Sequence, residues 1–266
     1  MELLRLDAAL AARGIARSRT HAATLIGDGL VTVDGKPVVK ASAKVRDDAA
    51  IVVAGADHYV SRGAHKLLGA LDAFPVSVEG VTALDAGAST GGFTQVLLER
   101  GASTVIALDV GHEQLVDELR NDARVAVVEG FNIRFGTPES VREASGVDAA
   151  PSVVVADLSF ISLTHVLPAL VSIAADGADF VLLVKPQFEV GRTGIREGVV
   201  HDDALRADAV AGVLWAGWDL GIGTAGVIPS PIVGTHGNRE FVVWMTASRG
   251  TNPTEWLQQI TTMAGA

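Results

Sequence analysis

The sequence predicts an α/β protein, a doubly wound and largely parallel sheet, with a small α+β domain ahead of it. Three observations carry the prediction. From residue 61 onward, apolar runs of strand length alternate with helical patterns. A loop of small residues, "GASTGG", joins the first of those runs to a helix, the place where such sheets gather their ligands. The first 56 residues are patterned differently, with two short helical segments and then a hairpin signal.

In the first segment Leu3, Leu6, Leu10 and Ala11 mark one helical face, stopped by Gly14. Ser18 can cap a second helix with Ala22, Leu25 and Ile26 inward and Gly27 and Gly29 at its end. Asp34-Gly35 in "VTVDGKPV" reads as a two-residue hairpin turn, and "AIVV" closes the unit. Residues 57–60 form a short connection. "SRGAHKLLGALDAF" then reads as a helix with Leu67, Leu68 and Leu71 inward. Strands follow at "VTALDA", "STVIALDV", "RVAVVEG", "PSVVVADL", "ADFVLLVK", "GTAGVIPS" and "EFVVWMTA", with helices such as "FTQVLLER" and "DALRADAVAGVLWAGW" between them.

A chain of 266 residues that is 48% hydrophobic and 20% charged has the composition of an ordinary globular protein, which argues against general disorder. It contains no cysteine, which excludes disulfides and thiolate metal sites. Neither a signal peptide nor a run of about 20 apolar residues is present, so a cytoplasmic location without membrane contact is expected. The net charge of −10 is unevenly spread, residues 1–66 carrying +3 and the remainder −13. A basic module on an acidic domain suits phosphate contacts in the first and a neutral or cationic cofactor in the second.

"LDAGASTGGFT" narrows the ligand. A phosphate loop of the Walker type needs a Lys followed by Ser or Thr at the helix end, and none is present. The dinucleotide fingerprint G-x-G-x-x-G is also missing, since Gly91-Gly92 comes late. Asp85 at the strand end suits a ligand carrying an amino group and a sulfonium better than a pyrophosphate. Asp109 ends the next strand, where it can accept hydrogen bonds from ribose hydroxyls. Both acids fit S-adenosylmethionine. Four further polar residues fall where a doubly wound sheet would put its site: Lys66 before the first strand, Asp157 and Lys185 ending apolar strands, and Glu240 opening "FVVWM" after a Gly-Asn-Arg turn.

Two resemblances sharpen this. The run "RLDAALAARGIARSRTHAATLIGDGLVTVDGKPVVKASAKV" resembles the αL RNA-binding module of a ribosomal small-subunit protein, pseudouridine synthases and tyrosyl-tRNA synthetases. It implies an RNA-binding domain over residues 1–56, with Arg5, Arg13, Arg17, Arg19, Lys36 and Lys40 turned toward RNA phosphates. "SRGAHKL", "DAGASTGGFT", "ALDVG", "FNIR", "DLSFISL", "VKPQFE" and "GNREF" together resemble the TlyA family of rRNA 2′-O-methyltransferases, whose catalytic domain is similar to the FtsJ-like methyltransferases. This resemblance implies a Rossmann-like, S-adenosylmethionine-dependent methyltransferase domain over residues 61–266. It also implies a catalytic tetrad of Lys66, Asp157, Lys185 and Glu240, and cofactor contacts at Asp85, Gly87, Ser89, Gly91, Asp109 and Asn132. The substrate it implies is cytidine in rRNA of both ribosomal subunits; the sequence shows no metal-ligand cluster, and a monomer that uses no metal is expected. A haemolysin-like membrane-active protein and a non-catalytic RNA-binding protein are the competing readings.

The chemistry asks for the same residue types. A ribose hydroxyl is a poor nucleophile, whereas a sulfonium methyl is already activated, so the protein must align the reactants and handle one proton. Lys185 is the candidate nearest that oxygen, either as a base or as an ammonium that stabilises the developing alkoxide. Burial beside Lys66 favours the base; pairing with Asp157 and Glu240 favours the ammonium.

Overall fold

Strands whose every residue is Val, Ile, Leu or Ala can be satisfied only when both faces of the sheet are covered, and the computed structural model builds its central sheet in that way. It describes residues 3–16, 18–27, 29–53, 58–191, 194–234 and 237–265. Contacts divide the chain into two units, Met1–His58 and Tyr59–Ala266.

The first unit runs β1 (Leu3–Arg5), α1 (Leu6–Ala12), α2 (Arg19–Gly27), β2 (Val31–Val33), β3 (Lys36–Pro37), β4 (Lys44–Arg46) and β5 (Ile51–Val53). Its core is Leu6, Ala9, Leu10, Ala22, Ile26, Val31, Val45 and Val53. The Asp34-Gly35 turn is present with both residues at positive φ, +48° and +77°, joining β2 to β3. Leu3 departs from the helical reading: it lies in β1, paired with Arg46 of β4, and is 54% exposed. With Val45 as its sole apolar residue, β4 carries too little alternation to be visible in the sequence.

The basic residues of this unit are not all free. Arg13 donates to three backbone carbonyls, Ala49 at 2.7 Å, Asp47 at 2.6 Å and Arg46 at 3.1 Å, so its guanidinium ties α1 to the turn after β4. Arg5 and Arg19 lie 2.7 and 3.3 Å from the buried carboxylate of Asp7. The Arg5 hydrogen bond, helped by the Ala8 N–H and Arg19, holds that carboxyl well below the usual carboxylate range against the effect of burial. Lys36 and Lys40 are exposed. Arg17, and Asp57 at the start of the expected 57–60 connection, lie outside the described residues.

The second unit contains α3 (Ala64–Ala73), β6 (Thr82–Ala86), α4 (Gly92–Glu99), β7 (Thr104–Leu108), α5 (Asp117–Arg120), β8 (Val125–Val128), α6 (Pro138–Ser145), β9 (Val153–Ala156), α7 (Leu167–Ile173), β10 (Asp179–Val184), α8 (Pro186–Glu189), α9 (Asp203–Asp219), β11 (Gly223–Pro229), β12 (Phe241–Thr246) and α10 (Leu257–Gly265). The seven strands lie in the order β11-β12-β10-β9-β6-β7-β8, each at one of the runs read as a strand. Alternate residues serve opposite faces. Ala83, Val105 and Val155 pack with Leu67 of α3 and Val96 and Leu97 of α4. Leu84, Ile106 and Val154 pack with Leu170 of α7, Val213 of α9 and Ile260 of α10.

Two features of this topology place the site. The chain winds outward from β6 through β7 to β8 and then returns to β9 on the other side, so β6 and β9 are neighbours at a topological switch point. In addition, β12 runs antiparallel to β10 with Phe241 opposite Val184. The residues that flank this pair, Lys185 after β10 and Glu240 before β12, therefore meet at one edge.

The Arg13 contacts make a specific expectation. Arg13→Ala should destabilise the first unit by roughly 1.5–3 kcal/mol, the range for hydrogen bonds to a charged group. Amide hydrogen exchange across residues 3–53 of the full chain would register this, and unchanged protection would show that the three carbonyl contacts contribute nothing.

Candidate active site

The glycine loop after β6 forms the floor. Gly87 has φ +87°, and a Cβ there would lie 2.9 Å from the Asp157 carbonyl oxygen and 3.0 Å from Leu158 Cδ2, so only glycine lets the β6 loop approach the β9 loop this closely. Gly87 and Ala88 donate to the Leu108 carbonyl at the end of β7. Asp109 accepts from the Ser89 N–H at 2.9 Å and the Gly111 N–H at 2.7 Å, one on each oxygen. Each oxygen retains a lone pair for a ligand hydroxyl.

Two clefts adjoin this loop. The larger, about 450 Å³, is walled by Asp109, Gln114, Phe131, Asn132, Leu158 and Phe160. The smaller, about 230 Å³, reaches Ser61, Thr90, Phe93 and Lys185. Gly87, Ser89, Asp157 and Ser159 line both, so the clefts meet across these four residues.

The four polar residues expected from the sequence gather there: Asp157 lines both clefts, Lys185 the smaller one, and Lys66 and Glu240 stand behind them and line neither. Lys66 Nζ lies 2.8 Å from Glu240 Oε2, a charge contact without hydrogen-bond alignment, and 3.3 Å from Asp157 Oδ2. Lys185 Nζ lies 2.6 Å from Asp157 Oδ1 and donates to Ser159 Oγ at 2.9 Å. One carboxylate is thus shared by two lysines, and Glu240 supplies the second negative charge. Lys66, Lys185 and Glu240 are buried, at 8%, 8% and 4% exposure, so the charges stand where isolated ions would be strongly disfavoured. Burial works to raise the Asp157 carboxyl, but Lys66 and Lys185 outweigh it and hold it below its ordinary value.

The residues expected at the cofactor fall in different places. Gly87, Ser89, Asp109 and Asn132 line the larger cleft. The Asn132 side chain also accepts from the Arg134 N–H, opening a short 3₁₀ turn. Gly91 lines neither cleft; its φ of +102° and its closeness to Leu115 and Leu119 make it a steric requirement of the turn into α4. Asp85 is fully buried beneath the loop, with Oδ2 accepting from the Thr94 hydroxyl at 2.7 Å and Oδ1 without a partner. Burial, and to a lesser degree the charges of Asp157 and Asp109, push its carboxyl up to about 7 despite the Thr94 hydrogen bonds.

The sequence reading singled out neither Ser159, Gln114 nor Phe160. Ser159 is one of the few polar residues after β9. Gln114 accepts from Ser89 Oγ at 3.2 Å. Phe160 is 92% exposed at the rim of the larger cleft with φ +66°, and its ring centroid is 5.3 Å from that of Phe188. A bulky residue in the left-handed region is a signal that backbone angles give and residue type does not. Among the described residues, no group of three or more His, Cys, Asp or Glu has metal-binding geometry, and no helix is long and apolar enough to cross a membrane.

Comparison with known proteins matches residues 59–247 to the FtsJ-like methyltransferase family and residues 4–51 to the S4 domain. The chain is 53% identical over 244 residues to the 16S/23S rRNA (cytidine-2′-O)-methyltransferase TlyA of Mycobacterium tuberculosis, covering 91% of this chain and 89% of the relative. It is 40% identical over 240 residues to Hemolysin A of Brachyspira hyodysenteriae, covering 90% and 98%. A solved structure of a hemolysin from Streptococcus thermophilus superposes with a TM-score of 0.78 at 38% identity, covering 100% of this chain and 96% of that one.

Asp85 makes the stability of the ligand-free protein depend on pH. Its ordinary value is 3.8, and in the folded chain it rises to about 7. Between those values the folded state binds more protons than the unfolded state, so this group lowers stability as pH climbs through the window. Asp85→Asn removes the titration. Urea unfolding at about pH 4 and about pH 8 should show the Asn variant gaining on the parent at the higher pH; a constant difference would mean that Asp85 ionises as freely folded as unfolded.

Proposed function

The chain belongs to the FtsJ-like methyltransferase family, within its TlyA rRNA methyltransferase group, and on that premise we propose that it methylates the ribose 2′-oxygen of rRNA cytidines with S-adenosylmethionine as donor. The observation that carries this reading is the Asp157 carboxylate, shared between Lys66 and Lys185 where the two clefts meet.

The residues of the larger cleft fit the cofactor. Asp109 offers free lone pairs beside the backbone of Ser89 and Gly111, as a ribose diol requires. Phe131, Leu158 and Ile161 give apolar walls for an adenine. Asp85 lies buried beneath the loop and lines neither cleft, so a bound ammonium nearby would favour its carboxylate through charge alone and not by contact. When bound, S-adenosylmethionine supplies a methyl group already activated by its sulfonium.

The protein's own residues handle the hydroxyl. Lys185 borders the smaller cleft, and its contacts to Asp157 and Ser159 are those of an ammonium. In that form it stabilises negative charge developing on the 2′-oxygen; as a free amine it would accept the proton. Asp157, held ionised by both lysines, fixes Lys185 Nζ at the border of the smaller cleft. Lys66 and Glu240 balance the cluster and fix the Asp157 carboxylate. The exposed Phe160 ring at the rim of the larger cleft gives a stacking face for an unpaired base.

The S4 domain supplies RNA affinity. Lys36 and Lys40 are exposed, and Arg5 and Arg19 keep much of their surface while paired with Asp7. Arg13 contributes by holding the unit together. The relative named for both 16S and 23S rRNA supports action on both subunits, and hence in the cytoplasm. The hemolysin names belong to the relatives that bear them; no observation on this chain favours that reading over an enzyme.

Purified small and large subunits, incubated with the chain and methyl-labelled S-adenosylmethionine, should each acquire label at a cytidine 2′-oxygen that mass spectrometry locates. Lys185→Ala should lower turnover by about a hundredfold or more, as for loss of a general base or oxyanion donor, while cofactor and subunit binding persist. Parental turnover in that variant would move the active centre elsewhere. Separately, Asp109→Ala should weaken cofactor binding by roughly 1.5–3 kcal/mol in calorimetry; unchanged affinity would make Asp109 a turn residue only.

A further inference from the structure

The motif "VKPQFE" gives Lys185 to the tetrad, but its last residue, Glu189, stands outside that cluster and is half-buried. Its carboxylate faces the loop that follows β9. One oxygen accepts from the Leu163 N–H at 2.8 Å, and the other from the Ser162 hydroxyl. Ser162 Oγ also accepts from the Thr164 N–H at 3.1 Å, so the contact is part of the loop's own turn. One residue before Glu189, Phe188 packs its ring against Phe160.

The loop from Asp157 to Leu163 is therefore held at both ends by one short segment. Near β9, Asp157 and Ser159 hold Lys185. At the far end, Ser162 and Leu163 hold Glu189. Between the two lies Phe160 at φ +66°, a conformation that an aromatic residue keeps only when its surroundings enforce it. A carboxylate with both oxygens engaged by one loop is a stiff tie, because each charge-assisted hydrogen bond fixes a different donor.

We propose that Glu189 is a positioning residue of the methyltransferase, clamping the Asp157–Leu163 loop so that Ser159 and Phe160 stay in register with Lys185. The proposal rests on the reading of the site given above. Without the carboxylate, the Leu163 N–H loses its acceptor, the Ser162 hydroxyl is left with Thr164 alone, and the strained Phe160 backbone is free to relax. The tetrad would keep its charges but lose its alignment with the substrate ribose.

Glu189→Ala, Glu189→Gln and Ser162→Ala, each in the full chain, would be compared with the parent using purified ribosomal subunits and methyl-labelled S-adenosylmethionine at saturation. Glu189→Ala should lower turnover by about ten- to a hundredfold, the scale of an ångström-sized misalignment, with cofactor affinity changed far less. Glu189→Gln keeps an acceptor for Leu163 and should restore most of the rate. Ser162→Ala should slow turnover in the same direction, and adding it to Glu189→Ala should cost little more, because the Ser162–Glu189 hydrogen bond is already lost there. Parental turnover in either alanine variant would overturn the clamp, as would a Gln variant no better than Ala or a loss confined to cofactor binding. Ser162→Ala leaves Glu189 and its Leu163 contact in place, so its turnover still tests the clamp if Glu189→Ala does not fold. Absence of methylation by the parent would overturn the methyltransferase reading and this one with it; a methylating parent beside an unaffected variant overturns the clamp alone.

Discussion

The site depends on a balance of buried charge. Two lysines and two carboxylates sit within ion-pair distance of one another at a depth where any one alone would be expelled or neutralised. Asp157 is the keystone because each of its oxygens meets a different lysine. Remove it, and two ammonium groups face each other across the cleft junction with Glu240 touching only Lys66. Such a cluster adds little net stability, since desolvation consumes most of the attraction. Its use is geometric, holding Lys185 at the border of the smaller cleft.

The sheet assembles this cluster from distant parts of the sequence. Asp157 and Lys185 come from adjacent parallel strands, Glu240 from an antiparallel strand on the other side of β10, and Lys66 from the helix that leads into the sheet. Register matters more than proximity in sequence. A slip of one residue in β12 would place Arg239 or Phe241 where Glu240 now stands and exchange a buried carboxylate for a cation or a ring. The six paired positions between β10 and β12, all but Asp179 buried, guard against that slip.

Much of this was legible in the residues. Seven mainly apolar runs became the seven strands because most of them demand burial on both faces, and the charged residues at their ends drew attention against that apolar background. What could not be read depends on three-dimensional pairing. Leu3 looked helical because periodicity is counted along the chain, whereas its partner Arg46 lies 43 residues away. Arg13 looked like a free cation because its three acceptors are backbone carbonyls, which leave no trace in residue type. Asp85 looked like a ligand contact, but its place beneath the glycine loop follows from strand depth, which the sequence does not give.

The position of β12 in the sheet has a consequence for biogenesis. This strand closes between β10 and β11, though it is the last of the sheet's seven strands in sequence, and it brings Glu240 with it. During synthesis the earlier strands can pair as they emerge, but the β10 edge stays open until residue 246 is free to reach it. Until then Lys66 has Asp157 but lacks its second carboxylate, and the cluster carries an uncompensated charge that disfavours its closure. A nascent chain thus holds an unfinished centre until β12 docks, and the strand made last of the seven completes the cluster in one step.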